Sequence, residues 1–419
     1  MNIYGLGVYG KKWWRRGCRT TMLRLSLMLL GATVLTLATH AQQTVGPGLT
    51  SFADQLGEHV FYIGTNGTLS DVYEQTLSPG NFYWSSSLDI IPSAASSSAL
   101  TGFADSSGEH VFFEDTNKNI HHLFLSFASG STWTDTNLSA LYSSTHAVAG
   151  SALAGFSDSS GIHVFYIGVY QSTQHVYRFY LPSGGTWNNK DLSIAGGAAA
   201  PGSGSGLAAF VDGSGEHVFY RGIEGTTTDP DVYQLYLSTG TTKWNSINVS
   251  AEAGPTTVDA LGKGLAAFSD SSGIHVFYTD ANSHGSHVSR LYLSSASGSQ
   301  WNWKDLTPAG SGISLPYPGS ALAAYPDTSG GEHVFYICAE LGPEICALTY
   351  ANGSGWSFTD LYALFLDGAQ VDPASALSGF EDTNGDHGFY VNPSQNPYQV
   401  YYSFAYGWQI QRIPTTTNP

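Results

Sequence analysis

Seven histidines recur at nearly even spacing, and they are the first candidates for chemistry in this chain. Each follows a glycine and one further residue, opens a Val-Phe-Tyr-like apolar run, and lies 51 to 58 residues from the next. An imidazole binds metals, transfers protons and donates hydrogen bonds to hydroxyl groups, so each role has to be weighed. The seven are His59, His110, His163, His217, His275, His333 and His387.

Metal binding is the least favoured of these roles. A metal needs three or four ligands around one ion, whereas equivalent positions in a repeat protein are spread apart. The pattern therefore predicts no metal site and no cofactor. Two structural roles stay open beside ligand binding: each imidazole bonds to the backbone of a neighbouring repeat, or it fills the interface between repeats. A structural role in all seven copies is the starting hypothesis, because buried polar groups are kept when they are hydrogen-bonded.

An aspartate precedes each histidine by five or six residues, within a predicted turn. Calcium is one interpretation, above all for the Asp-Thr-Asn-Gly-Asp segment 382–386. However, Asp-x-x-Gly forms a turn without an ion, since Asp bonds its own backbone and Gly adopts positive φ. We therefore expect turns. The aspartates are Asp54, Asp105, Asp158, Asp212, Asp270, Asp327 and Asp382.

Catalysis is not predicted. A glycosidase needs two carboxylates flanking the scissile bond, and the acidic residues here recur in turns without an exceptional pair in one repeat. The Gly-Ser-Gly-Ser-Gly run at 202–206 has glycine rather than serine at its centre, and it lies in a Gly/Ser linker before a strand. A nucleophile elbow instead needs a strand-to-helix turn. Repetition without one exceptional unit favours binding, so we expect a protein that is not an enzyme.

The elements that must position these residues are short β-strands. In the fourth repeat, strands are predicted at 206–210, 217–220, 232–237 and 244–249, because β-branched and aromatic residues alternate between Gly, Ser and Asp turns. Seven such units predict an all-β fold, a seven-bladed β-propeller with four antiparallel strands per blade. The blades are expected at about 48–91, 99–139, 152–193, 206–249, 264–307, 321–362 and 376–413.

Residue size supports this radial arrangement. Small residues dominate the first strand of most repeats and a tryptophan marks the fourth, as the taper of a propeller blade requires. The first and last blades are complete in this frame, and the sequence leaves open whether residues 44–48 or 409–413 exchange a strand. Longer segments at 224–231 and 280–286 either shape a single site on one rim or are tolerated loop growth.

Residues 1–41 resemble a secretory signal peptide. Six basic residues precede an apolar run at 25–37 that is short for a bilayer span, so we expect a secreted or periplasmic protein without membrane insertion. Without this segment, nine Lys and Arg face 32 Asp and Glu, which disfavours nucleic acid as a partner. In an oxidising compartment, Cys338 and Cys346 either form a hairpin disulfide or remain free thiols. The oligomeric state is not predicted.

The repeated unit His-Val-Phe-Tyr, then Val-Tyr-x-Leu-Tyr-Leu, then Trp and Asp-Leu, resembles the fucose-specific lectin family across residues 48–413. This family comprises fungal six-bladed propellers and seven-bladed bacterial relatives. The resemblance implies glycan sites between adjacent blades. In the family, an Arg on the second strand and a Glu on the third hold the sugar hydroxyls, while aromatic rings stack on its apolar face.

Transferred position by position, the family's Arg falls on the seven histidines. The stacking position implied by the resemblance falls on Trp84, Trp133, Trp187, Trp244, Trp301, Trp356 and Trp408. The family's Glu falls on Glu74, His122, Arg178, Gln234, Arg290, Ala347 and Tyr402.

Because only the first blade keeps the carboxylate and no blade keeps the arginine, the resemblance implies carbohydrate binding but does not imply fucose specificity. A neutral His supplies one donor where Arg presents five, so each site is expected to be weak. Seven weak sites would act on multivalent glycans through avidity. The sequence therefore favours a secreted lectin-like propeller. The alternative is a non-catalytic propeller scaffold for protein–protein interaction, with architectural histidines.

Overall fold

The structure is a computed structural model in which no described helix is long and apolar enough to cross a membrane. The predicted signal segment 1–41 lies outside the described residues. Those are 42–44, 48–66, 69–79, 84–85, 88–128, 132–142, 146–223, 230–254, 260–282, 285–296, 298, 300–308, 310–339, 342–351, 354–365, 370–403 and 406–414.

Seven small antiparallel sheets form a ring, which confirms the predicted seven-bladed β-propeller. Each blade contains four consecutive strands, numbered here from the central channel outwards. The first strands of neighbouring blades contact one another around the ring, blade 7 against blade 1 included. Short 3-10 or α-helices follow the fourth strand in blades 2, 3, 4 and 6, at Ser139–Leu141, Leu192–Gly196, Val249–Ala253 and Leu361–Leu364.

The strand bounds show how regular the repeat is. Blades 1 to 4 contain Leu49–Ala53, Glu58–Asn66, Leu69–Leu77 and Leu88–Pro92; Leu100–Ala104, Gly108–Glu114, Ile120–Ser126 and Thr134–Asn137; Leu153–Asp158, Gly161–Tyr170, Thr173–Pro182 and Asn188–Asp191; and Leu207–Asp212, Gly215–Ile223, Asp231–Ser238 and Asn245–Asn248. Blades 5 to 7 contain Ala260–Asp270, Gly273–Asn282, Gly285–Ser294 and Trp301–Asp305; Leu322–Pro326, Glu332–Cys338, Glu344–Ala351 and Gly355–Asp360; and Ser378–Asp382, Gly385–Val391, Pro397–Ser403 and Gly407–Arg412.

The turn between the first and second strands follows from its sequence. In blade 4, one carboxylate oxygen of Asp212 accepts the backbone N–H groups of Ser214 and Gly215, at 2.7 and 3.2 Å. Gly215 has φ of 143°, and a Cβ there would lie 2.0 Å from the carbonyl oxygen of Leu237. Only glycine fits this position. The same Asp-backbone bonds recur in the other blades and confirm the predicted turns.

A serine before the first strand ties several blades together internally. The Ser205 hydroxyl donates to the carbonyl of Gly206 and accepts the N–H of Arg221 on the second strand, at 2.8 and 2.9 Å. Ser98, Ser151 and Ser375 make equivalent bonds in other blades. Ser205 belongs to the Gly-Ser-Gly-Ser-Gly run at 202–206, and the structure gives it a structural hydrogen-bonding role in a loop, as its sequence context predicts.

Tryptophans join each blade to the preceding one. Each stands at, or just before, the start of a fourth strand and packs edge-on against a phenylalanine on the second strand of the preceding blade. Ring centroids lie 5.6 to 6.4 Å apart, a favourable edge-to-face distance. The pairs are Phe61–Trp133, Phe112–Trp187, Phe165–Trp244, Phe219–Trp301, Phe277–Trp356, Phe335–Trp408 and Phe389–Trp84.

The ring closes by packing of complete blades, which answers the question that the sequence left open. Residues 409–412 belong to the fourth strand of blade 7 itself. The Ser51 and Ser378 hydroxyls are 2.8 Å apart across the junction, and Gln75 donates to the carbonyl of Pro414. The short strand Gln42–Thr44 adds to the first strand of blade 3 and contacts the first strands of the other blades, so it lies in the central channel.

Two local predictions are also decided. Cys338 and Cys346 form a disulfide across the hairpin of blade 6, with Cα atoms 5.9 Å apart. The predicted loop insertion at 280–286 is wrong in part, because Asp280 and Ala281 pair with His287 and Ser286 as a longer hairpin. The second and third strands of blade 5 are simply longer than those of blades 4 and 6. The other predicted insertion lies largely at 224–229, outside the described residues.

Candidate functional site

The candidate sites lie at the seven junctions between blades, named here interface 1/2 to interface 7/1. Interface 3/4 shows the plan. His163 and Phe165 share one face of the second strand of blade 3, and Arg178 pairs with Phe165 from the third strand. Blade 4 contributes Glu216 and Trp244. The Arg178 guanidinium donates to Glu216 at 2.7 Å and lies 5.3 Å from the Trp244 ring centroid.

Each histidine is held by the aspartate of its own turn. The distance from imidazole Nε2 to the aspartate oxygen is 3.0 to 3.2 Å in all seven blades. None of these seven histidines is more than 6% exposed. The predicted alternative of a bond to a neighbouring backbone is wrong. The imidazoles do line the interfaces, where Nδ1 faces the third strand or the next blade.

This pairing shifts the pKa of both partners. Burial disfavours the charged form of Asp270, but hydrogen bonds from His275 and Ser272 outweigh it and lower the pKa to about 2. Burial likewise disfavours protonated His163, but its bonds to Asp158 and Glu216 outweigh this and raise its pKa. Burial would also raise the pKa of Asp158, but hydrogen bonds from His163 and Ser160 lower it, so the pairing in blade 3 favours the charged form of both partners.

The residue immediately before each histidine was missed in the sequence reasoning. It faces the preceding blade, where it meets the third-strand residue opposite Phe165 or its equivalent. The repeat could have indicated this position, because every copy has either an acidic residue or an isoleucine there. The residues are Glu58, Glu109, Ile162, Glu216, Ile274, Glu332 and Asp386.

Charges at these facing positions are matched at most interfaces. Interfaces 3/4 and 5/6 pair an arginine with a glutamate, Arg290 with Glu332 at 2.5 Å in the second case. At interfaces 2/3 and 4/5, a neutral His122 or Gln234 meets isoleucine instead. Gln399 donates to Glu58 at interface 7/1. Two interfaces depart from this matching. At interface 6/7 the side chain of Ala347 is apolar, and Asp386 lies 3.5 Å from His333. At interface 1/2 the facing residues Glu74 and Glu109 are both acidic.

The structure also corrects the transferred third-strand positions. Strand register places Gln399 opposite Phe389, whereas Tyr402 pairs with Asp386, so the assignment of Tyr402 is wrong. Register places Glu74, His122, Arg178, Gln234, Arg290 and Ala347 as predicted, each opposite the second-strand phenylalanine.

Among the described contacts, the tryptophan of a blade meets the second strand of the preceding blade and not the histidine of its own blade. The structure brings together residues of adjacent blades: His59, Glu74 and Trp133; His110, His122 and Trp187; His163, Arg178 and Trp244; His217, Gln234 and Trp301; His275, Arg290 and Trp356; and His333 with Trp408. Trp84 belongs to interface 7/1, beside Phe389.

Exposure separates these tryptophans into two groups. Trp244, Trp301 and Trp84 are only 1 to 5% exposed, so neither ring face is free for a sugar. The other four are half-buried. Among them Trp356 stands out, because Tyr350 packs on it and Tyr292 lies across the Arg290 guanidinium at 4.8 Å. Interface 5/6 thus combines a cation, a carboxylate and three half-buried aromatic rings.

Comparisons with known proteins agree with this fold. No protein-family profile and no curated protein sequence matches the chain. Among solved structures, the BP39L lectin from Burkholderia pseudomallei is similar, with a TM-score of 0.65 at 16% identity over 88% of this chain and 99% of that one. The Aleuria aurantia lectin in complex with α-methyl-L-fucoside is similar, with a TM-score of 0.52 at 18% identity over 78% and 98%.

A structure of ulvan lyase, a polysaccharide lyase, is also similar, with a TM-score of 0.55 at 13% identity over 90% of this chain and 95% of that one. These neighbours thus comprise lectins, of which the Aleuria aurantia protein is fucose-specific, and a polysaccharide lyase. At such identities the likeness establishes the fold, and function has to be argued from the site.

Proposed function

We propose that this protein is a non-catalytic, carbohydrate-binding propeller whose principal sites are interfaces 5/6 and 3/4. The observation that carries the proposal is the set of an arginine, a glutamate and a half-buried aromatic ring at these two interfaces. At interface 3/4, where Trp244 is buried, the ring is Tyr180, 4.8 Å from the Arg178 guanidinium. The set contains the side-chain types that the resemblance to the lectins implies, with exchanged positions: the arginine lies on the third strand and the glutamate on the second strand of the next blade.

The chemistry of interface 5/6 suits a sugar. Arginine presents several fixed donors, a carboxylate accepts from hydroxyl groups, and half-buried aromatic rings offer apolar faces to a pyranose. Among the described residues, Nε of Arg290 donates no hydrogen bond and Oε2 of Glu332 accepts none, but both atoms are buried, so a sugar would reach them only after a side-chain shift. Arg290 is 9% exposed, so a sugar would contact only its edge. We therefore expect weak single sites that act together on multivalent glycans.

Arginine-to-glutamine substitution at these interfaces tests the proposal. Arg178→Gln and Arg290→Gln introduce the residue that stands at interfaces 4/5 and 7/1, where Gln399 pairs with Glu58 at 2.8 Å, so the variants are expected to fold. Glycan-array and calorimetric titration of residues 42–419 should show binding that falls by roughly tenfold or more in the double variant. L-Fucose is the first sugar to test, because the neighbouring Aleuria structure contains a fucoside.

The matched control is Arg412→Gln, which removes one arginine that bonds to Asn396 at a distant edge of blade 7. Its glycan binding should equal that of the unchanged protein. Binding that survives in a folded double variant would place the sugar elsewhere and contradict the assigned interfaces. If no glycan binds to the unchanged protein, the alternative of a scaffold for protein partners is favoured.

We further propose that the protein is exported and that residues 1–41 are removed. The Cys338–Cys346 disulfide supports this proposal, because such bonds persist in oxidising compartments. Mass spectrometry of the protein recovered from the periplasm or medium should show an N-terminus near residue 42. Recovery of the full chain in the reducing cytoplasm would contradict export.

A further inference from the structure

Interface 1/2 breaks the charge matching found elsewhere in the ring. Where interfaces 3/4 and 5/6 place an arginine on the third strand, blade 1 places Glu74, and the facing residue of blade 2 is Glu109. Asp54 lies on the other side of His59. This group, named here the acidic junction, thus sets three carboxylates around one imidazole.

The imidazole connects all three carboxylates. His59 Nε2 lies 3.1 Å from Asp54, while Nδ1 lies 3.0 Å from Glu74 and 3.5 Å from Glu109. Glu74 is further bonded by the Trp133 indole N–H at 3.2 Å and the Thr76 hydroxyl at 3.1 Å. The contact between Nδ1 of His59 and the carboxylate of Glu109 is therefore the longest of the three and the least well hydrogen-bonded.

Glu109 is the side chain that lacks compensation. It is 0% exposed, and neither of its oxygens accepts a hydrogen bond from a described residue. A carboxylate buried in this way is costly unless a cation or a proton neutralises it. His59 carries at most one positive charge against three carboxylates, so the junction holds excess negative charge.

We propose that the acidic junction binds one divalent cation of the Zn²⁺ or Mn²⁺ type, held by Nδ1 of His59 with Glu74 and Glu109. Glu74 and Glu109 lie 3.0 and 3.5 Å from the same imidazole nitrogen, and ligand atoms of Asp54, His59 and Glu109 lie within 4.8 Å of one another, so small side-chain shifts suffice. Mixed imidazole and carboxylate donors suit these metals better than Ca²⁺, which prefers oxygen ligands alone. Asp54 accepts the Nε2–H and so directs Nδ1 towards the metal.

A similar cluster elsewhere provides an internal comparison. At interface 7/1, ligand atoms of Glu58, Asp382 and His387 lie equally close together. There, however, the Gln399 amide donates to Glu58 and contacts Nδ1 of His387, both at 2.8 Å. The glutamate is thus partnered and the imidazole nitrogen is occupied, so no cation is expected. Sequence arguments about seven equivalent histidines do not apply here, because the ligands all come from one interface.

The test is metal binding to residues 42–419 after treatment with EDTA and dialysis. Thermal unfolding should shift upwards by about 3–6 °C with Zn²⁺ or Mn²⁺ at saturating excess and by less with Ca²⁺. Elemental analysis should find one metal per chain. Glu109→Ile, which introduces the residue found at interfaces 2/3 and 4/5, should abolish both the shift and the bound metal.

Two further variants keep the test decisive. If Glu109→Ile fails to fold, Glu74→Gln replaces it, since glutamine occupies this position at interfaces 4/5 and 7/1. Asp382→Asn alters the interface 7/1 cluster and should leave the metal-induced shift unchanged. An equal shift in Glu109→Ile, or no bound metal in the unchanged protein, would overturn the proposal. Stabilisation by acid alone would show that a proton, rather than a metal, neutralises Glu109.

Discussion

At the scale of single residues, the repeated aspartate and histidine work as one unit. The aspartate closes the turn through backbone N–H groups and holds Nε2 of the histidine with the same carboxylate. The turn was predictable from sequence, because Asp-x-x-Gly depends only on local backbone geometry. The hydrogen-bond partner of the histidine was not predictable, since an imidazole five residues from the aspartate can turn towards either its own blade or the next. Burial of the pair at an interface decides its orientation.

Acid should weaken the protein through these pairs. Burial would raise the pKa of Asp212, but hydrogen bonds from His217 and Ser214 lower it from 3.8 to about 2. A lowered folded-state pKa means that the stabilisation is present above pH 3.8 and is lost as the pH falls towards 2. We expect about 1–2 kcal/mol per pair, measured by urea unfolding between pH 2 and 7.

Asp212→Asn isolates this effect, because the amide oxygen can still accept the turn N–H groups. It should lower the free energy of unfolding at neutral pH and flatten part of the acid dependence. Asp372→Asn is the matched control, since Asp372 bonds to a turn N–H and to Gln395 without a histidine among the described contacts. An acid dependence identical in Asp212→Asn and the unchanged protein would contradict the role of the pair.

At the scale of elements, blade 5 carries a paired change in its outer hairpin. In blades 1, 3 and 4, a glycine on the second strand lies under a third-strand tyrosine; a Cβ at Gly222 would be 2.5 Å from the Tyr233 ring. In blade 5 the corresponding positions are Asp280 and Ser289, whose side chains bond to each other. The small serine leaves the space that the aspartate occupies.

This pairing predicts a reciprocal double mutant. Ser289→Tyr alone should destabilise blade 5 by about 1–3 kcal/mol, because the ring would overlap the Asp280 carboxylate. Adding Asp280→Gly restores the pair found in the other blades and should recover most of that loss. Chemical denaturation of the single and double variants measures the coupling. Additive effects of the two substitutions would show that the positions are independent.

The elements also show where sequence reasoning reached its limit. Strands and turns of each blade followed from alternation and glycine placement, and six of the seven third-strand residues occupy equivalent positions in the strand register. The seventh failed because the hairpin between the second and third strands varies in length, so position cannot be counted from the motif. The sequence also could not predict which neighbouring blade each tryptophan packs against, since that depends on how the blades are arranged around the ring.

At the scale of the whole molecule, the ring is closed by side chains rather than by a shared strand. Gln399 is central to that closure, because its amide joins His387 of blade 7 to Glu58 of blade 1. Gln234 occupies the same position at interface 4/5, where its contact among the described side chains is with His217, and it faces an isoleucine there. The two glutamines therefore allow the closing contact to be measured against a matched internal one.

Gln399→Ala should cost more stability than Gln234→Ala. The first leaves a buried carboxylate and an imidazole without their donor, for which we expect about 2–3 kcal/mol, whereas the second removes one neutral contact worth about 1 kcal/mol. Urea unfolding monitored by tryptophan fluorescence gives both values. Equal losses would show that Glu58 finds another partner and that closure rests on apolar packing alone.

The pairing of facing residues around the ring has a consequence for how the chain assembles. Seven blades with nearly the same sequence present nearly the same surfaces, so a newly formed blade has several wrong neighbours available during folding. Blade 3 presents Arg178 and packs well against a blade that presents Glu216. Against a blade that presents Ile274, it would bury an unpaired cation. The residue before each histidine thus favours the native neighbour of each blade over the other blades of the chain.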